Sequence, residues 1–241
     1  MTTSRRLEGQ VVAITGASRG FGAAVAELCA AEGAKLVLVA RTRGALEEVD
    51  DRVRRHGEEA TLVALDITDG KMVDTLGRAL FERFGRLDGL VGAAAELGPI
   101  TPVSHLEGKV FERVMAVNAL ANHRLIRSLD PLLRLAPAGR AVFVTDGAAA
   151  SAQAYWGGYA ASKAALEMLV RTYAAELRLT NVRANLFDPG PMATKLRAQA
   201  FPGENPATVT LPAEAAPAII ELLTPGCAVQ GQIVRRLQSG A

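Results

Sequence analysis

The sequence predicts an α/β fold, a seven-stranded parallel sheet with helices on both faces, and three observations predict it. Short apolar runs alternate along the chain with longer segments of helical period. The runs lack the every-other-residue polarity of half-exposed strands, as expected where both faces of a parallel sheet are covered. Glycines cluster in the turn between the first run and the first helical segment. At 241 residues the chain fits one such unit, and a single doubly wound domain over residues 1–241 is expected.

Seven strands are expected, at "VVAIT" (11–15), "LVLVA" (36–40), "TLVAL" (61–65), "LDGLVG" (87–92), "RAVFVT" (140–145), "VRANLF" (182–187) and "GQIVRRL" (231–237). Helical spacing places helices near 20–32, 43–56, 70–84, 106–130, 157–178 and 213–223. Pro202, Pro206 and Pro212 in "FPGENPATVTLP" interrupt regular structure after the sixth strand, and a mobile loop over the strand ends is expected there.

Composition excludes several classes. A net charge of +2 gives no warrant for a nucleic-acid or membrane partner. Cys29 and Cys227 stand in no ligand spacing, nor do His56, His105 and His123, so neither a disulfide framework nor a metal site is expected. No apolar stretch has the length of a signal or a membrane span, and a cytoplasmic protein is expected.

The segment "VVAITGASRGFGAAVAELCA" sets Gly16, Gly20 and Gly22 between strand and helix. A turn this tight needs residues without a Cβ, and the helix start offers unpaired N–H groups and the positive dipole end to a phosphate. A strand before it and an apolar helix after it are the context of a Rossmann-type dinucleotide site. The second strand ends at Arg41 in "VLVARTRG", where many dinucleotide folds carry an acid for the ribose hydroxyls. Arg41, with Arg19 of the glycine loop, suits a 2′-phosphate, so NADP is favoured over NAD. The alternative is that both arginines are solvated surface charges. Further along, Tyr159 and Lys163 share a helix face at i and i+4, so the lysine charge can sit beside the phenol and ease loss of its proton.

Taken together, "TGASRGFG", Asn118 in "MAVNALAN", "YAASK" and "DPGPMAT" resemble the short-chain dehydrogenase/reductase family, in its order and at its intervals, over nearly the whole chain. The resemblance implies that Gly16, Gly20 and Gly22 hold the pyrophosphate, with Ser18, Arg19 and Phe21 beside them. It places Asp66 of "LDITD" at the adenine, with Ile67 and Ala94 along the groove. Tyr159 is then the acid/base, and Lys163 binds the nicotinamide ribose and lowers the Tyr159 pKa. Asn118 continues a proton relay, while Pro189, Gly190 and Thr194 line the nicotinamide side. A homodimer or homotetramer and a small carbonyl or alcohol substrate are implied as well. Read without the resemblance, Asp66 is equally a helix cap.

Two positions depart from the family pattern. The catalytic serine is expected thirteen residues before the tyrosine, where this chain has Asp146. Where the family reads Asn-Asn-Ala-Gly, the fourth strand runs into Gly92, Ala93, Ala94 and Ala95, followed by Glu96. A buried, neutral Asp146 would donate a hydrogen bond in the serine's stead, whereas an ionised Asp146 at about 4 Å repels a tyrosinate by about 4 kcal/mol at an effective dielectric near 20. Lys163 opposes this by a similar amount, which returns the phenol to about 10. Glu96, Asp146 and Asp188 all follow strand ends, and three acids in one crevice favour a neutral or cationic substrate. Adjacent strand residues face opposite ways, so Thr145 is expected to look away from the pocket. The sequence supports an NADP(H)-dependent oxidoreductase with Asp146 in the serine's place, and alternatively a dinucleotide-binding protein of weak or no turnover.

Overall fold

The computed structural model describes residues 5–57 and 59–236. All seven expected strands form, as β1 (Val11–Thr15), β2 (Lys35–Ala40), β3 (Thr61–Ala64), β4 (Gly89–Gly92), β5 (Arg140–Val144), β6 (Arg183–Asp188) and β7 (Ile233–Arg235). Leu237, the last residue of the seventh expected run, lies outside the described residues. Every pairing is parallel, in the order β3-β2-β1-β4-β5-β6-β7. The strand order reverses between β1 and β4, and a crevice opens outside the strand ends at such a reversal.

The helices are α1 (Gly20–Ala31), α2 (Arg43–Val53), α3 (Gly70–Phe84), α4 (Gly108–Met115), α5 (Ala121–Leu135), α6 (Ala148–Ser151), α7 (Gly157–Glu176), α8 (Lys195–Ala200) and α9 (Pro212–Leu223). Alternate strand residues feed opposite layers. Val12 and Ile14 pack with Leu36, Leu38 and Phe187 under α1, α2 and α9. Val11 and Ala13 pack with Val37, Val39 and Phe143 under α3, α5 and α7. Both faces are therefore dry, which is why the strand sequences are continuously apolar.

One expectation is corrected, and two segments show local structure that the sequence did not signal. The helix expected over 106–130 is two helices joined by a π-turn at Ala116–Leu120, and the second continues through Pro131 to Leu135. Proline deletes one backbone bond there, but burial of Leu132 and Leu133 outweighs that loss. The segment after β6 is ordered by local contacts: α8 is capped by Thr194, which accepts from the Arg197 amide (3.2 Å), and Asn205 caps a 3-10 turn at Pro206–Thr208. The short helix α6 follows β5, where the sequence carries no periodic signal, and the residue after it, Ala152, adopts a left-handed backbone (φ 47°).

At β4 the space of the missing asparagine is already filled. A Cβ on Gly92 would lie 2.5 Å from the Phe143 ring and 2.7 Å from Asn122 Oδ1. Asn122 is buried and donates from Nδ2 to the main-chain oxygen of Asn118 (2.8 Å). Gly92→Asn, a change toward the family sequence, is therefore expected to destabilise the fold by about 1–3 kcal/mol, measured by urea unfolding. Truncating Asn122 to alanine in the same chain should recover part of that loss.

Candidate active site

The glycine loop leaves β1 with Gly16 in a left-handed conformation (φ 67°), and its Cα lies so close to β4 that a Cβ would meet the Ala94 backbone at 2.8 Å. A Cβ on Gly22 would lie 2.3 Å from the Gly16 oxygen. Helix α1 has no side-chain cap, and the amides of Ser18, Arg19, Gly20, Phe21 and Gly22 find no acceptor among the described residues. Five unpaired N–H groups at a helix start fit a pyrophosphate. Thr194 closes this end, with its methyl 3.5 Å from where a Gly20 Cβ would be.

Two of the expected groove residues turn their side chains inward. The Phe21 ring is buried and stacked on Phe187 (5.7 Å between centroids), and the Ile67 side chain is buried in the core under α3. Only their backbones can line the groove. Ala94 donates its amide to Thr15 Oγ1 (3.4 Å), which ties β4 to β1 beneath the crevice. Arg19 and Arg41 are exposed and make no ion pair among the described residues.

Asp66 is not the cap of α3. That role belongs to Asp69, which accepts from the Met72 amide (3.1 Å). Asp66 instead takes the amide (2.9 Å) and hydroxyl (2.7 Å) of Thr68 on Oδ1. Burial pushes its pKa up, but the Thr68 bonds, Arg113 and Arg41 together hold it below the usual carboxylate value.

At the other end of the crevice, α7 presents Tyr159 and Lys163, both buried. The Tyr159 hydroxyl donates to Asp146 Oδ2 (3.4 Å), and Asp146 Oδ1 accepts from the Ala148 amide (2.8 Å). Lys163 Nζ donates to the Val144 oxygen (2.8 Å) and lies 5.6 Å from the Tyr159 ring centre. Thr145 does look away: its hydroxyl donates to Glu167 (2.6 Å). Pro189 is buried behind Asp188, and Gly190 turns the chain with φ 71° while donating to Asp188 Oδ1 (3.0 Å).

The expected cancellation of charges at Tyr159 does not occur. Burial is the largest influence and pushes the phenol well above its ordinary value, and Asp146 and then Asp188 push it further. Burial also lowers Lys163 to about 8, against the upward pull of Asp146, Glu167 and Asp188. Coulomb's law between two partners leaves out the loss of water around each, and in a dry seam that loss dominates. Lys163 therefore does not bring the Tyr159 pKa below its ordinary value in this structure.

Asn118 is fully enclosed by the π-turn. Its Oδ1 accepts from the Glu96 amide (2.8 Å), and its Nδ2 donates to the Glu96 oxygen and to Ser162 Oγ (2.8 Å each). Ser162 in turn donates to the Tyr159 main-chain oxygen (2.7 Å). Both Nδ2 hydrogens are thus committed to protein acceptors, so the side chain braces the segment after β4 against α7.

The three-acid crevice is reduced to two. Glu96 pairs with Arg113 (3.2 Å), while Asp146 bonds the phenol and Asp188, 3.6 Å from Arg235, acts on it through space. Trp156 packs edge-on to Tyr159 (5.9 Å) and against Phe201 beyond α8 (5.7 Å), which lines the approach with aromatic rings. Ser162, Arg113, Glu167 and Asn122 were not singled out by the sequence. Only Ser162 carried a signal, three residues after Tyr159 on the same helix face.

Residues 10–205 match the sequence model of the family described as short chain dehydrogenase. The chain belongs to that family of oxidoreductases. A short chain dehydrogenase structure from Pseudomonas syringae is 37% identical, with a TM-score of 0.94 over 98% of this chain and 97% of that one. Another, from Escherichia coli and complexed with NADPH, is 30% identical, with a TM-score of 0.93 over 97% and 98%. Among curated proteins, the oxidoreductase YciK of Escherichia coli is 32% identical over 90% of this chain and 87% of its own. Among the described residues of this family member, no helix is long and apolar enough to cross a membrane.

Lys163 gives a signed test. Its folded value of about 8 lies below its ordinary 10.5, so the charged lysine costs stability fully below pH 8. That cost is relieved as the pH rises from 8 to 10.5. Wild type is expected to gain stability relative to Lys163→Met across that window, measured by denaturant unfolding at successive pH values.

Proposed function

We propose that this protein is an NADP(H)-dependent oxidoreductase that moves hydride between nicotinamide and a small carbonyl or secondary alcohol, with carbonyl reduction as the favoured direction. The observation that carries this is the buried Tyr159, held protonated by its surroundings, on the same face as Lys163. NADPH held by the amides of the glycine loop would supply the hydride for reduction of a carbonyl carbon. Tyr159 donates its proton to the oxygen, for which a phenol with a raised pKa is in the right state at neutral pH. Lys163 holds the strand end through the Val144 oxygen and presents charge to the ribose. The five amides of the glycine loop suit the pyrophosphate, and exposed Arg19 and Arg41 suit a 2′-phosphate. Two relatives of the same fold are described as complexes with NADPH and NADP, which supports the choice of cofactor. Residues 1–241 would act as one domain in the cytoplasm, and as the homodimer or homotetramer that the family resemblance implies.

Asp146 favours a second reading, a dinucleotide-binding protein of weak turnover. As bonded in this structure, it accepts at both oxygens and offers no hydrogen to a developing alkoxide. Loss of one such donor costs about 2.7–4 kcal/mol.

The two readings separate in one experiment. NADPH binding is followed by fluorescence, and turnover of a carbonyl panel is compared between wild type and Asp146→Ser. On the first reading NADPH binds, wild type turns over slowly, and the serine variant is faster by about 10²–10³-fold. Binding with no turnover in either protein supports the second reading, and failure to bind NADPH overturns both. Alcohol oxidation, which needs the phenolate, should rise with pH without a plateau below pH 10. For the cofactor, Arg41→Ala is expected to raise the NADPH dissociation constant about tenfold or more and leave that for NADH within about twofold.

A further inference from the structure

Arg113, on α4, reaches the segments that follow β3 and β4. Its Nε meets Glu96 Oε2 at 3.2 Å, its Nη1 meets Thr68 Oγ1 at 3.2 Å, and its Nη2 stands 3.7 Å from Asp66 Oδ2. The two carboxylates are served unequally: Glu96 has the hydrogen bond, and Asp66 only a long ion pair. Asp66 Oδ1 is already taken by the amide and hydroxyl of Thr68. Its Oδ2 is left as the acceptor open to a ligand at the end of β3.

The main chain of Glu96 is held in place, since Asn118 bonds both its amide and its main-chain oxygen at 2.8 Å. From that anchored backbone its carboxylate reaches the Arg113 guanidinium and competes for it. We infer that Glu96 is a positioning residue that draws Arg113 away from Asp66 and so keeps Asp66 Oδ2 free to accept from the 6-amino group of the cofactor's adenine. This rests on the dinucleotide reading above and adds a selection for 6-aminopurine over 6-oxopurine, made through a residue that touches no ligand. Without the negative charge at 96, the guanidinium's remaining carboxylate is Asp66, and the open oxygen is captured.

The test compares dissociation constants for NADPH and for its hypoxanthine counterpart, which carries a 6-oxo group in place of the 6-amino group. Wild type is expected to prefer NADPH by about tenfold, the worth of one hydrogen bond to a charged acceptor. Glu96→Gln should bring the ratio close to one while the melting temperature stays within a few degrees. Glu96→Gln/Arg113→Met should restore the preference, because the competing guanidinium is gone. A purely structural role for Glu96 predicts no such rescue. Wild type that binds NADPH without discriminating between the purines sinks this inference alone, as does a Glu96→Gln variant that keeps the preference or a double variant that fails to regain it. Wild type that binds neither dinucleotide sinks the proposed function and this inference with it.

Discussion

Tyr159 and Lys163 lie in a dry seam between α7 and the carboxyl end of β5, and the loss of water around them governs the site. Dehydration favours the neutral form of each, so the phenol keeps its proton and the ammonium is weakened, whatever charges stand nearby. Asp146 adds to the first effect and opposes the second. The phenol is thereby prepared as a proton donor and poorly prepared as a base. An isolated pair of charges in a uniform medium leads to a different conclusion, because it keeps both groups hydrated.

The same seam explains the use of backbone and amide contacts around the site. Lys163 spends a hydrogen on the Val144 oxygen, Asn118 joins Glu96 to Ser162, and Ser162 fixes the Tyr159 carbonyl. Buried polar groups without partners would cost more than the pairings return. The result is a hydrogen-bonded line from the segment after β4 to α7. It forms in spite of the missing strand asparagines, since Asn122 enters from α5 into the volume above Gly92. The family pattern is broken in sequence, and the volume it would occupy is filled from another element.

Charge at the crevice is partitioned in a similar way. Glu96 and Asp188 each stand beside an arginine, from α4 and from β7. Among the described residues, Asp146 accepts hydrogen bonds from the Ala148 amide and the phenol. Two carboxylates, not three, therefore act on the phenol, Asp146 by contact and Asp188 through space, beside the packed rings of Trp156 and Phe201.

The sheet, its seven strands, the glycine loop and the Tyr159–Lys163 pair were legible in the chain itself. Each rests on local spacing: apolar runs buried on two faces, a turn that excludes side chains, and one helical turn between two functional groups. Alternation along β5 was enough to turn Thr145 toward Glu167. Contacts between distant segments were not legible, because no periodicity records that Arg113 meets Glu96 and Asp66, that Asn122 stands over Gly92, or that Phe21 stacks on Phe187. Nor could the sequence set the acidity of Tyr159, since that depends on how completely the fold removes water from a residue, and only the packed tertiary structure decides it.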